Sequence, residues 1–310
     1  MTKTPPDSQH SQSVTDLAAV GTQTPHPDAT PGQHQGQPTT ATDVSGGWAT
    51  SITDIDPDRV LVRGYRIDEM MGRVSFSEAV YLVLTGELPS RDVGRLVEAL
   101  LVATIDHGAT PPSTIAARSV ATTGAPMRAA AAAGVLAFGS PLGGGGSIDL
   151  CFRFLEEGLA LVGDWVSFDD AARRVVDQHE TDSRIPPGFG HRFHTRDPRA
   201  TRLLQIAHEL ELEGRHIQLA RSVERVLAER RDPTGDPPLH INADGAMAAV
   251  CGDIGLDAET ANVLFMVSRL PGIVAHAIEE QRRQSPMRQI DAASHRYDGP
   301  GERRLPEPRL

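Results

Sequence analysis

From residue 75 to residue 284, one helix-start signal follows another, with almost no strand pattern between them. Ser75 and Glu78 make a capping-box signature ahead of Val80, Leu82, Val83 and Leu84, and Gly86 supplies a stop. Ser90 caps the next stretch, whose apolar face is Val93, Leu96, Val97, Leu100 and Leu101. A small-residue helix is predicted over 125–138, and Ser147 is placed to cap one carrying Leu150, Phe154 and Leu155. The pattern predicts another helix over 168–177. Asp197-Pro198 reads as an N-cap followed by proline at the first helical position, opening a helix through Leu203, Leu204 and Ile206. Further helices are predicted near 215–230, 245–255, 258–269 and 272–284. Only Val60, Val62 and Tyr65 hint at a short strand, so the expected fold class is all-α, with no internal repeat.

Polar tails flank this region. Residues 1–46 are Thr, Gln, Pro, His, Asp, Ser and Gly with hardly an aliphatic cluster, and are expected to be disordered. His10, His26 and His34 within them are spaced too irregularly to suggest a metal site. Residues 301–310 read as a second polar tail. The length of 310 residues allows about two domains.

Charge and composition remove several function classes. A net charge of −11 disfavours binding to nucleic acid or anionic membrane, and 4% aromatics are too few for a base-stacking platform. All 30 basic residues but Lys3 are arginine, which excludes lysine-dependent chemistry such as Schiff-base aldolases, pyridoxal enzymes, P-loop NTPases and kinases. Arginine forks remain, and these suit carboxylates. Cys151 and Cys251 cannot make a four-cysteine zinc site or a disulfide framework and are expected to be buried thiols. His208 and His216 flank Glu209, Glu211 and Glu213 without an H-E-x-x-H pattern, so no metal is expected. No secretory signal is evident and the longest uncharged apolar run, 129–142, is too short to span a bilayer, so a soluble cytoplasmic protein is expected.

Four loops carry polar residues or glycines at the ends of apolar helices. In the first, Asp106-His107-Gly108, Asp106 can orient His107, or the trio simply closes a helix. The second is Gly143 to Gly146, which lets main chain approach a ligand but is neither a dinucleotide fingerprint nor a P-loop; a plain connector is the alternative. The third runs Gly188-Phe-Gly190-His191-Arg192 to Asp197-Pro-Arg199, where a neutral imidazole between guanidiniums can act as acid or base. The fourth is Asn242-Ala-Asp244-Gly245, where Asp244 is an N-cap or a base. His276, among Val274, Ala275 and Ile278, reads as a satisfied interior histidine.

In this order the motifs resemble the citrate synthase superfamily over about residues 47–300. Gly188-Phe-Gly-His-Arg with Asp197-Pro-Arg-Ala is similar to its G-x-G-H-R…D-P-R segment, and Asn242-Ala-Asp244 to its N-x-D segment. Arg269-Leu-Pro-Gly272-Ile-Val-Ala-His276 with Glu279 and Glu280 resembles R-x-x-G-x-x-A-H-x-x-E. Arg288 and Tyr297-Asp-Gly-Pro300 resemble the family's C-terminal arginine and Y-x-G-P ending. Where the synthases read L-H-G-G-A-N, this chain has Leu142-Gly143-Gly144-Gly145-Gly146-Ser147. The histidine that polarises the thioester carbonyl in synthases is therefore replaced by Gly143. Gly144-Gly145-Gly146 with Asp149, and Asp106-His107-Gly108, are nearer to the citryl-CoA-cleaving module of ATP citrate lyase.

The resemblance implies a large helical domain of 47–150 with 251–300, a smaller one of 151–250, and a site in the cleft between them. It implies citryl-CoA ⇌ acetyl-CoA + oxaloacetate, with citrate or 2-methylcitrate synthesis in the condensation direction, or a non-catalytic citrate- or acyl-CoA-binding paralogue, as alternatives. On this basis His191 serves the hydroxyl or ketone oxygen and Asp244 exchanges a proton with the acetyl carbon. His107, Arg199 and Arg269 hold carboxylates, and Arg288 completes a neighbouring subunit's site in a homodimer, with Arg296 as its rival. Gly143, Gly144 and Gly145 form the oxyanion and acyl loop, and Gly188 and Gly190 contact CoA. No cofactor beyond the CoA thioester is implied.

Overall fold

Capping chemistry sets most of the element boundaries. A computed structural model of the chain describes residues 49–139, 146–180, 185–230, 238–288, 292–294 and 296–304. The N-terminal tail of 1–46 and the glycines Gly143–Gly145 lie outside the described residues, as do the last six residues of the C-terminal tail. Among the described residues, eleven helices dominate, in keeping with the all-α expectation.

The strand hint becomes a three-stranded antiparallel meander, β1 (Thr53–Asp56), β2 (Arg59–Val62) and β3 (Tyr65–Arg66). Its second turn, Arg63-Gly64, has positive φ at both residues (50° and 85°), the geometry that matches strand twist. The Arg63 guanidinium donates to the Val83 carbonyl at the end of α2 (Phe76–Thr85), fixing the meander to the helices. A one-turn helix, α1 (Ile67–Met70), links the two. Helix α2 has the predicted capping box on Ser75 and Glu78 and ends at Gly86 with φ 93°. Helix α3 (Arg91–Ala103) is capped by Ser90, whose hydroxyl accepts from Val93 N at 3.2 Å.

Helix α4 (Pro112–Ala121) has no counterpart among the predicted helices. Its Thr-Pro-Pro-Ser start looks like loop, yet proline suits the first helical turn, where an N–H has no intrahelical partner. The small-residue helix is α5 (Met127–Leu136), packed closely on α4 through Ala117, Ala121 and Ala130. Next come α6 (Gly146–Leu161), α7 (Phe168–Glu180), α8 (Pro198–Glu209) and α9 (Arg215–Arg230). Ser147 lies inside the first turn of α6, and its hydroxyl is bonded to Asp244 rather than serving as a cap.

Helix α10 (Ala243–Asp253) is buried along Gly245–Cys251 and contacts α6, α8, α9 and α11. Its small side chains let four neighbours close around it, so it has no solvent face. Its N-cap is Asn242, which accepts from Gly245 N at 3.0 Å; Asp244 lies inside the helix and is no cap. The two helices predicted at 258–269 and 272–284 are one, α11 (Ala258–Arg283). Pro271 sits inside it on an exposed position, removing one intrahelical bond without ending the helix, because α3–α6 and α10 hold it on both sides. Length and composition alone would let α11 cross a membrane, but Leu264, Phe265, Ile273 and Ala277 are core residues. The expected thiols Cys151 and Cys251 are buried and unpaired. Thr50–Leu310 forms one compact unit.

One polar cluster ties α6, α9 and α10 together. Asp253 accepts from the main-chain N–H groups of Gly214, His216 and Ile217, closing the start of α9 from outside. The His216 ring lies against Gly252 and bridges Asp253 (3.0 Å) and Glu156 (2.6 Å). Burial alone would lower its pKa, but the two carboxylates outweigh this and raise it above 6.5. A raised folded-state pKa means that this stabilisation is complete below the unfolded-state value and disappears as pH climbs through the folded one. Wild type should therefore lose its stability advantage over His216→Gln as pH rises from 6.5, measured as the difference in urea midpoints. A difference independent of pH between 6 and 9 would show that His216 is neutral throughout.

Candidate active site

Two backbone segments meet at the front of α10. Phe189 and Ile241 form an antiparallel bridge. Gly190 N donates to His240 O (2.8 Å), Asn242 N to Gly188 O (3.0 Å), and the Asn242 side-chain amide to Gly190 O (2.8 Å). Glu224 on α9 accepts from Ile241 N and His240 Nδ1, clamping the second segment. Gly188 and Gly190 have φ of 84° and 77°, conformations natural to glycine. There is no room for a side chain on Gly188, which faces Cys151 and Gly245. His191 directly follows the first of these paired segments, and Asp244 comes shortly after the second.

Asp197 strengthens the same junction. Its buried carboxylate caps α8 through Arg199 N (2.9 Å), pairs with the Arg199 guanidinium in a two-pronged bond (3.0 and 2.8 Å) and accepts from Ala243 N (3.1 Å). Burial pushes this carboxyl up, but Arg199 and the amide donors hold it below the usual carboxylate range. The sequence showed Asp197 only as a cap; its hold on Arg199 and on the start of α10 depends on packing.

His107, His191, Arg199 and Arg269 line one cavity of about 710 Å³, with Thr110, Ser113, Phe138 and His194 also in its wall. His191 Nδ1 accepts from Phe193 N (3.0 Å) and His194 N (3.1 Å), so a neutral ring carries its proton on Nε2. Burial, helped by His194, Arg199 and Arg192, lowers its pKa. His107 is open to solvent on one side and crowded on the other; that crowding and the charges of Arg269 and Arg199 lower its pKa. Arg269 is 2% exposed, donates from Nε to Thr104 O (2.7 Å) and rests over the Phe265 ring. Burial depresses its pKa to about 10, so it stays cationic at neutral pH. Among the described residues no carboxylate pairs with it directly. Asp244 takes a bond from Ser147 and lies close enough for its charge to act on His107, Arg269 and Cys151.

The loop carrying His107 rests directly on α11. A Cβ on Gly272 would stand 2.5 Å from Ile105 O and 3.0 Å from Asp106 Cα. Asp106 accepts from Gly108 N (3.0 Å) and reaches His276 Nε2 (3.2 Å). His276 is thus a satisfied, half-buried histidine, as the sequence suggests, but its partner is the loop of the site. Arg288 is not in the cavity wall. It pairs with buried Glu280, which also binds Arg118, and its N–H donates to Thr122. Arg296 is exposed. No group of three or more His, Cys, Asp or Glu able to hold a metal occurs among the described residues.

A family model described as "Citrate synthase, C-terminal domain" matches residues 89–290. "Putative citrate synthase 2" of Mycobacterium tuberculosis is 32% identical over 209 residues, covering 67% of this chain and 52% of that protein. "Citrate synthase" of Saccharolobus solfataricus is 30% identical over 216 residues, 68% of this chain and 54% of that one. The chain spans about half the length of the curated relatives it matches. Among solved structures, citryl-CoA lyase from Hydrogenobacter thermophilus is 37% identical, with a TM-score of 0.73 over 84% of this chain and 97% of that one. ATP citrate lyase from Methanothrix soehngenii, solved with citrate and coenzyme A, shares the fold at 18% identity, with a TM-score of 0.69 over 85% of this chain and 43% of that one.

Proposed function

We propose, on the premise that this chain belongs to the citrate synthase family, that it cleaves citryl-CoA to acetyl-CoA and oxaloacetate. The observation that supports the reading is the cavity that His191 shares with His107, Arg199 and Arg269; Asp244 is not in its wall but lies close enough for its charge to act on His107 and Arg269. The likeness to a citryl-CoA lyase that this chain covers over 97% of its length favours cleavage.

The hydroxyl proton of citryl-CoA passes to solvent as the carbon–carbon bond breaks, while His191 Nε2–H donates to that oxygen, and the hydroxyl carbon becomes the ketone of oxaloacetate. The bond's electrons form the acetyl-CoA enolate, whose carbon takes a proton from Asp244. Asp244 regains its proton from solvent, so protons lost and gained balance, and the two N–H groups at Nδ1 keep the His191 proton on Nε2. Arg199, Arg269 and His107 hold the carboxylates through charge-assisted bonds. Condensation uses the same groups in reversed roles, and the names of the synthase relatives, including "Citrate/2-methylcitrate synthase", favour it as a second reading.

Further parts of the proposal are a larger domain of 47–150 with 251–300 and a smaller one of 151–250. We also propose a cytoplasmic homodimer that needs no cofactor beyond the thioester, with Gly143–Gly145 at the acyl group, Gly188 and Gly190 along CoA, and Arg288 serving the partner's site. The location of Arg288 outside its own chain's cavity wall is compatible with that role.

Mass spectrometry of products, after separate incubation with citryl-CoA and with acetyl-CoA plus oxaloacetate, tests the reading. Faster cleavage than condensation is expected; binding of citrate and CoA without turnover in either direction would make the chain a binder. Because His191 works neutral and its pKa is lowered, kcat/KM for citryl-CoA should stay level down to 6.5 and fall only below it. An acid limb centred above 6.5 would rule out His191 as that group.

A further inference from the structure

We propose that Ser113 is a further catalytic residue, whose hydroxyl donates to the thioester carbonyl oxygen of the substrate as that oxygen takes up the enolate charge. The inference rests on the citryl-CoA reading above and adds a side-chain donor to the oxyanion loop that the reading proposes at Gly143–Gly145. The cavity's cations suit carboxylates, and His191 Nε2 serves the hydroxyl or ketone oxygen. The thioester oxygen gains the most charge in the reaction and needs a donor of its own.

Ser113 is 5% exposed and lies in the cavity wall with His107, His191 and Arg269. Among the described residues its hydroxyl has no hydrogen-bond partner. It is not sealed inside the protein either: Glu280 Oε1 is the sole described side-chain atom both unpartnered and shut off from solvent. An unpartnered hydroxyl in a cavity wall that is not shut off opens into the cavity. Ser113 also stands in the first turn of α4, a ten-residue helix, where the helix dipole is positive. Pro111 and Pro112 have no N–H, so Ser113 carries the first main-chain donor of that helix as well as its hydroxyl. The neighbouring wall, Pro111, Pro112, Ala137 and Phe138, is apolar, suited to a thioester and poorly suited to a carboxylate. A donor in a site sheltered from water acts far more strongly on a developing charge than one in bulk solvent.

The test compares full-length wild type with Ser113→Ala. Loss of one such donor should lower kcat for citryl-CoA cleavage by about 100- to 1000-fold. The dissociation constant for citrate, by calorimetry, should stay within about threefold, because the carboxylate-binding groups are untouched. In parallel, the infrared carbonyl band of bound carbon-13-labelled acetyl-CoA should lie at lower frequency in wild type than in Ser113→Ala. That band needs no turnover, so it judges Ser113 even if citryl-CoA is not cleaved and the parent reading fails. Should Ser113→Ala not fold, Ser113→Cys replaces it, with a smaller drop in kcat and a band shifted the same way, since a thiol is a weaker donor. An unchanged kcat, an identical carbonyl band, or a loss that appears in citrate binding instead would overturn the assignment.

Discussion

Asp244→Asn should lower citryl-CoA cleavage by about 10³-fold or more while leaving the fold intact. A positioned acid or base contributes about 10²–10⁴-fold to a proton transfer, and the Asp244 charge reaches His107 and Arg269 of the cavity wall. The structure explains why stability should survive. Asn242, not Asp244, caps α10, so the helix keeps its cap. Ser147 donates to Oδ2, and an asparagine carbonyl can still accept that bond. The thermal midpoint should therefore move little, and citryl-CoA should still bind, because Arg199, Arg269 and His107 are unchanged. Turnover and calorimetric binding measured on one preparation check this; cleavage within tenfold of wild type would remove Asp244 from the chemistry.

Gly245→Ala should damage both fold and activity. An ideal Cβ there would overlap the Gly188 carbonyl oxygen and sit 3.0 Å from its carbon, so the clash is with main chain and no rotamer relieves it. Overpacking of this kind costs about 3 kcal/mol. For a unit of this size that corresponds to a drop of about 6–12 °C in thermal midpoint. Pushing Gly188 away also parts the 188–190 segment from 240–242, so activity should fall more steeply than stability. Gly163→Ala is the control: nothing lies within 4 Å of its Cβ, and its φ is not positive. Equal midpoints for the two variants would show that the close approach at Gly188 does not hold the junction together.

Local signals disclosed the helices whose ends are chemically marked. Ser75, Ser90 and Asp197 cap as their side chains suggest, because capping needs only residues two or three positions away. Signals that depend on the rest of the fold misled. Pro271 looks like a break, yet α11 runs through it, held by the helices packed on either side. Asp244 looks like a cap, but Asn242 takes that role and frees the carboxylate for Ser147 and the site. Helix α4 was hidden behind its two prolines. The residues that meet at the cavity were legible only as an ordered set of motifs, since His107, His191, Arg199 and Arg269 come from four separate segments. Ser113 and the bond of Asp197 to Ala243 left no mark in the sequence, because each depends on what packs opposite.

The most direct test is a crystal structure of Asp244→Asn with citryl-CoA trapped in the cleft. His191 Nε2 should lie about 3 Å from the citryl hydroxyl oxygen, with the residue 244 side chain against the acetyl carbon across the bond that breaks. Citryl-CoA bound with either side chain turned into a separate crevice would contradict the account.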